Sequence, residues 1–404
     1  MLQYYKLVSK VLRYNAKPLS LFGSRFEMCL NILGNKSNFG LFMKNLLRGN
    51  VVLPSKESSS FLSTVGHLDN RVDLDKNINP GSNKYYAALC AMASKLAYEN
   101  NEFIRATVED YWKMELLGAY NFWDETYKAH TTQAFVFLDK TTNPNTIFVA
   151  FRGTEIFSAT DWITDLDISR HPFPGAKGSV HAGFIKALGL KPNGPWPEDK
   201  NTVQNNLHAY ITLSQELKSH FEANQNATLV LTGHSLGGAL AVLFSAILAV
   251  RNEATVLERL KGVYTFGQPK VGDEKFGRFM EEKFDFYGVE YYRVVYNHDI
   301  VPRLPYDNSV SAFRHFGKCL YIDSVYEAKV VKEEPDYFGF VEIVRRTVDP
   351  FWELIRSFLL PGMFGAEYKE GLLMVMFRLV GLMFSGLPAH GPQDYINATR
   401  LAVY

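Results

Sequence analysis

The sequence predicts an α/β fold: a mostly parallel central sheet with helices on both faces. Three observations lead there. Short apolar runs recur through the middle of the chain, and several end in glycine, as buried strands do. Helical patterns lie between those runs, and strand–helix alternation implies parallel pairing with crossovers. The chain has 404 residues and is 47% apolar, enough to bury a large core with additions around it.

The elements follow in order. Residues 85–99 carry Leu89, Met92, Ala93 and Leu96 on one helical face. A strand is expected over 132–138. Residues 145–153 (NTIFVAFRG) form a stronger one, almost continuously apolar. Residues 227–233 (ATLVLTG) form another, followed at once by a buried helix over 237–250. Residues 262–267 (GVYTFG), 291–296 (YYRVVY) and 320–322 (LYI) complete the strand series.

The two ends break this rhythm. Residues 1–76 read as a separate, partly helical extension with an apolar and basic stretch at 39–48 (FGLFMKNLLR), the remainder, 77–404, being the main domain. Within that domain, residues 325–385 read as a helical insert. Its segment 371–384 (GLLMVMFRLVGLMF) is strongly apolar but interrupted by Arg378. A spanning helix needs about 20 apolar residues without a central charge. The segment therefore reads as a buried or surface-embedded helix.

Composition excludes several functions. A net charge of +1 offers no basic stripe for nucleic acid. The three cysteines, Cys29, Cys90 and Cys319, are far apart and match no metal spacing, so neither a zinc site nor a disulfide framework is expected. The first residues mix lysine and arginine among apolar positions without an unbroken apolar core or cleavage site. No secretory signal is read, and the protein is expected not to be secreted.

The chemical signal is Gly233-His234-Ser235-Leu236-Gly237. Serine is a weak nucleophile unless a base reaches its hydroxyl. A sharp turn between strand and helix presents it, and glycines permit the tight backbone. The alternative is an ordinary glycine-rich helix start. The turn also leaves the Leu236 amide free to bind an oxyanion. Thr154, just past the strand ending near residue 150, is placed to supply a second donor; otherwise it is a simple helix cap. The acid should lie at a strand's carboxyl end. Asp299 follows the strand 291–296 directly, whereas Asp273 and Asp285 end no clear strand. Beyond Ser235 lie His298, His315 and His390. His298 adjoins the acid and would point elsewhere. Spacing alone leaves His315 and His390 open.

These segments resemble the class 3 lipase family, the α/β-hydrolases related to fungal triacylglycerol lipases. The matching pieces are 149–155 (VAFRGTE), 180–184 (VHAGF), the serine turn, 264–273 (YTFGQPKVGD) and 297–305 (NHDIVPRLP). Similarity to the plant oil-body lipase subgroup extends through 352–358 (WELIRSF) and 389–395 (AHGPQDY). The resemblance implies Ser235, Asp299 and His390 as a catalytic triad, with Thr154 and Leu236 forming the oxyanion hole. One departure stands out: Asp299 and His390 lie 91 residues apart, farther than in the fungal enzymes, with the insert between them. The resemblance also implies a lid with a stripe of Trp162, Ile163 and Leu166; the alternative is an ordinary amphipathic helix.

The expected function is hydrolysis of acyl esters, triacylglycerol foremost, at a lipid-droplet surface or cytosolic membrane face, through an acyl-enzyme and without metal or cofactor. The rivals are a phospholipase or galactolipase, and a catalytically silent lipid-surface scaffold. The apolar end segments contact lipid, pack internally or form an oligomer contact; the sequence leaves these three open.

Overall fold

The computed structural model describes residues 14, 16–34, 36–49, 53–124, 129–155, 169–176, 178–190, 208–305, 312–335, 340–383 and 385–402. Its centre is an eight-stranded sheet in the order β1-β2-β3-β6-β7-β9-β11-β12. The strands are β1 (Glu115–Asp124), β2 (Ala129–Asp139), β3 (Thr146–Phe151), β6 (Thr228–His234), β7 (Leu260–Phe266), β9 (Glu290–Tyr296), β11 (Lys318–Ile322) and β12 (Ala328–Val331). The five from β3 to β11 pair parallel, and the edge strands pair antiparallel. A second, small sheet joins β4 (Arg170–Pro172), β5 (Ser179–His181), β8 (Gly272–Asp273) and β10 (Phe313–Arg314).

The period of two along each strand divides the core. Ile147, Val149, Leu229, Leu231 and Val263 point to one face, where they meet the helix Leu236–Val250. Phe148, Ala150, Val230, Tyr264 and Val294 point to the other, where they meet the helix Asn83–Leu96. Every residue of β3 is buried, which explains its continuous apolar run.

The helices that matter for the site are α1 (Ala16–Leu33), α2 (Lys36–Leu47), α3 (Thr64–Leu68), α4 (Asn83–Leu96), α5 (Ala209–Ala223), α6 (Leu236–Val250), α7 (Glu274–Tyr287), α8 (Phe340–Phe364), α9 (Leu372–Gly381) and α10 (Pro392–Leu401). Helix α4 differs from the one-faced helix read from the sequence. All of Tyr85–Leu96 is buried, because α4 lies between the sheet and α10. Burying each large apolar side chain there contributes roughly 1.5–3 kcal/mol. The strand β1 has no counterpart in the sequence reading. It is an edge strand with one half-exposed face, and its apolar residues are interrupted by Gly118 and Asn121.

Residues of the N-terminal extension join the main domain through part-buried polar contacts. Within the extension the Thr64 amide donates to the Glu27 carboxylate at 2.8 Å, and the Ser63 amide reaches across to Glu99 at 2.7 Å. The Gly371 amide, at the start of the apolar segment of the insert, donates to the Leu68 carbonyl at 2.7 Å. Helix α9 has ten residues, about 15 Å, half of what a span needs. Among the described residues no helix is long and apolar enough to cross a membrane.

Candidate active site

Strand β6 runs into α6 through a turn at Ser235, whose φ of 57° and ψ of −129° are unusual for any residue with a side chain. The glycines around it have a packing reason. A Cβ on Gly233 would overlap the Gly237 backbone, and a Cβ on Gly237 would overlap the Phe151 carbonyl. The turn closes only because neither carries one.

Ser235 Oγ lies 2.9 Å from His390 Nε2, and His390 Nδ1 lies 2.8 Å from Asp299 Oδ2. A carboxylate only accepts, so the Nδ1–H donates to Asp299 and Nε2 is left to accept the serine proton. Asp299 is fully buried at the end of β9. It accepts from the Val301 amide at 2.9 Å and from the Tyr395 hydroxyl of α10. Gly267, with φ of +60°, passes close beneath: a Cβ there would stand 2.9 Å from Asp299 Oδ2 and 3.0 Å from the His390 ring.

His234 supports His390 from behind. Its Nε2 is 2.8 Å from the His390 carbonyl, which can only accept, so Nε2 carries the proton. Its Nδ1 then accepts from the Tyr98 hydroxyl at 2.9 Å. Burial, and secondarily the nearby His390, pushes the His234 pKa well below the usual histidine range, so this ring stays neutral.

The other sequence candidates lie elsewhere. The His315 side chain is buried, with Nε2 2.6 Å from the Pro302 carbonyl, and burial lowers its pKa to about 3. With that ring neutral, its 3.5 Å approach to Glu334 is a polar contact, not an ion pair. His298 faces Asp349 at 3.0 Å. Asp273 caps α7 by accepting from the Phe276 amide, and it pairs with Arg170. Asp285 is exposed on α7.

Leu236 opens α6, where amides lack an intrahelical acceptor. Thr154 follows β3, and Gly153 presses against the His234 carbonyl so closely that a Cβ would stand 2.6 Å from its oxygen. That approach brings Thr154 to the wall of the cavity that also contains Ser235 and His390. The lid residues Trp162, Ile163 and Leu166 lie outside the described residues.

The cavity encloses about 540 Å³. Phe184 and Leu304 of the main domain line it. So do Phe26 and Leu68 of the extension, and Met376 and Phe377 of the insert. The sequence reading placed neither end segment at the site. It also missed Tyr98, Gly267 and Tyr395. Tyr395 was visible as the last residue of the 389–395 segment, and α10 carries it back to Asp299.

Comparisons with known proteins place the chain in a family. A family model described as "Lipase (class 3)" matches residues 148–309. The triacylglycerol lipase OBL1 of Nicotiana tabacum is 38% identical over 98% of this chain and 82% of that protein. The protein of the same name from Arabidopsis thaliana is also 38% identical, over 98% and 83%. A solved structure of Rhizomucor miehei triacylglyceride lipase is 25% identical, covering 64% of this chain and 87% of that one with a TM-score of 0.45. Near-full-length identity at this level, together with the family match over the serine turn and the Asp299 segment, shows that the chain belongs to the class 3 lipase family.

Proposed function

We propose that the protein is a triacylglycerol lipase that works at the surface of a lipid droplet or on a cytosolic membrane face. The observation that carries this reading is the Ser235–His390–Asp299 chain of contacts opening into an apolar cavity. The names of the near-full-length relatives support the triacylglycerol substrate.

In this reading Ser235 Oγ attacks the ester carbonyl while His390 Nε2 takes its proton. Asp299 holds the imidazole and stabilises its charged form. The carbonyl oxygen gains negative charge toward the Leu236 amide and Thr154; one such donor is worth about 3–4 kcal/mol of barrier. His390 returns the proton to the leaving alkoxide, and the glycerol hydroxyl departs. A water then attacks the acyl-enzyme, again with His390 as base, and releases the fatty acid. The cavity wall of Phe184, Leu304 and Phe377 excludes water from the acyl chain.

The test is hydrolysis of triolein emulsion, phosphatidylcholine and galactolipid by the purified protein beside Ser235→Ala. We expect triolein to be preferred and Ser235→Ala to lose about a thousandfold or more in turnover. Equal, low activity in both proteins would refute the enzyme reading. Preference for a polar lipid would overturn only the choice of triacylglycerol.

A further inference from the structure

Helices α8 and α9 are amphipathic the wrong way round for a soluble surface. On α8 the charged and polar Glu353, Arg356 and Ser357 are buried, beside Pro350 and Leu360. The outward positions are Val348, Phe351, Ile355, Phe358 and Met363, all more than half exposed. On α9, Arg378 points inward at 1% exposure, while Leu372, Met376 and Leu379 point outward, again more than half exposed. A helix on a water-facing protein surface shows the reverse pattern.

The inversion is held by ion pairs. Arg378 meets Glu353 at 2.9 Å, Glu370 at 2.5 Å and Asp394 at 2.6 Å; Arg356 meets Asp394 at 3.1 Å. Rolling either helix to hide its apolar face would expose its own charges and strand the buried partners left behind, an expensive exchange. The fold therefore keeps this face outward. A contiguous apolar face of this kind marks an interaction surface.

We propose that this outward face of α8 and α9 is the surface that docks onto a layer of acyl lipid. The occupant is argued from continuity with the cavity. Met376 is exposed on this face and also lines the cavity that holds Ser235, as does the exposed Leu387 that follows α9. Leu373, Phe377 and Val380 of α9 carry the apolar lining inward from there. An acyl chain leaving a lipid layer at this face reaches the cavity without crossing water. A protein seated there would instead block that entrance. No carboxylate stands among the outward positions named, so the face meets a lipid layer without burying an unpaired charge. This docking rests on the lipase reading for its purpose, but it is measured independently of hydrolysis.

The test uses the full chain and triolein droplets coated with phosphatidylcholine. Flotation reads binding, triolein turnover reads interfacial activity, and p-nitrophenyl butyrate in solution reads the catalytic centre. The triple substitution Phe351→Gln, Ile355→Gln and Phe358→Gln touches no cavity residue. It should lower droplet partition and triolein turnover by about tenfold or more, with soluble-ester turnover within about twofold of the parent. The pair Val348→Gln and Met363→Gln, toward the two ends of the same stripe, should act in the same direction and guards against a folding defect in the first variant. Droplet partition unchanged in both variants would overturn the proposal. So would a dimer in sedimentation that the triple variant converts to monomer, because the face would then belong to a second copy. If the parent and Ser235→Ala float equally and neither hydrolyses triolein, docking stands and the lipase reading falls.

Discussion

Replacing Arg378 by methionine tests the joint between the insert and the proposed catalytic residues. Methionine keeps most of the volume and removes the charge. The side chain is 1% exposed and touches three carboxylates: Glu353, Glu370 and Asp394. With it gone, Arg356 alone faces the three. Breaking a buried ion pair costs about 3–5 kcal/mol, because the partners stay buried without compensation. Whole-domain stability is typically about 5–15 kcal/mol, so the variant should fold but be plainly weakened. The deficit has a pH signature. Burial already raises the Asp394 pKa to about 6, against the pull of Arg378 and Arg356. Burial also opposes the Glu370 carboxylate, yet Arg378, with help from Arg356 and Ser357, outweighs it and the pKa falls. Losing Arg378 raises both. A carboxyl whose folded pKa is raised costs stability as pH climbs from its unfolded value through the folded one. The deficit should therefore be largest near pH 8 and shrink toward pH 5.5. Urea unfolding at the two pH values reads it directly. A loss under about 1 kcal/mol at pH 8, or one that does not shrink on acidification, would refute the account of the cluster as a set of coupled buried charges.

Three further substitutions follow from the site. Gly267→Ala places a methyl 2.9 Å from Asp299 Oδ2 at a positive φ, so turnover should fall by about tenfold to a hundredfold, measured as kcat on soluble ester; unchanged kcat would mean that the Asp299–His390 contact tolerates displacement. Tyr395→Phe removes a hydroxyl that donates to Asp299, a bond to a charged group worth about 1.5–3 kcal/mol, so kcat should drop by roughly tenfold with KM unchanged; an effect on KM alone would contradict the positioning role. His315 is held neutral in the fold, with a pKa of about 3 against an unfolded value near 6.5. The unfolded chain binds the extra proton between those values, so stability falls on acidification by up to about 1.4 kcal/mol per pH unit from this group. His315→Gln should flatten that slope between pH 6.5 and 4.5 in urea titrations and leave turnover within severalfold, whereas collapse of turnover would return His315 to consideration as the base.

The parallel centre of the sheet was legible because its strands are buried on both faces. Continuous apolar runs such as 145–153 have few other uses in a folded chain. The edge strand β1 was not, since Gly118 and Asn121 interrupt its apolar pattern. The serine turn was legible because glycine is demanded at Gly233 and Gly237 by backbone approach, which leaves a mark in the sequence. The histidine was a different matter. His315 and His390 both lie downstream, and only tertiary packing separates a ring bonded to the Pro302 carbonyl from one bonded to Ser235. Resemblance, not spacing, favoured His390. Helices α8 and α9 show the limit most clearly. Arg378 reads as an interruption of an apolar segment, when it is the group that sets which side of α9 faces in.

That role bears on the 91-residue separation of Asp299 and His390. Chain length alone is a small obstacle, since doubling a loop costs only about 0.6 kcal/mol of closure entropy. Precision is the harder requirement: a misplacement of about 1 Å between acid and base can cost a hundredfold in rate. A short connection would hold the two segments by covalent proximity. Here the insert does so by charge. Glu353 on α8 accepts from the Asn297 side chain at 3.1 Å, two residues before Asp299. Arg356 on α8 and Arg378 on α9 both hold Asp394, four residues after His390. The acid's segment and the base's segment are thus tied to the same buried cluster from opposite sides. The cluster also fixes α9, whose Leu373, Met376, Phe377 and Val380 line the cavity. One set of ion pairs therefore aligns the proposed triad, shapes the cavity wall and turns the apolar faces of α8 and α9 toward the outside. The insert is structurally inseparable from the active centre it interrupts.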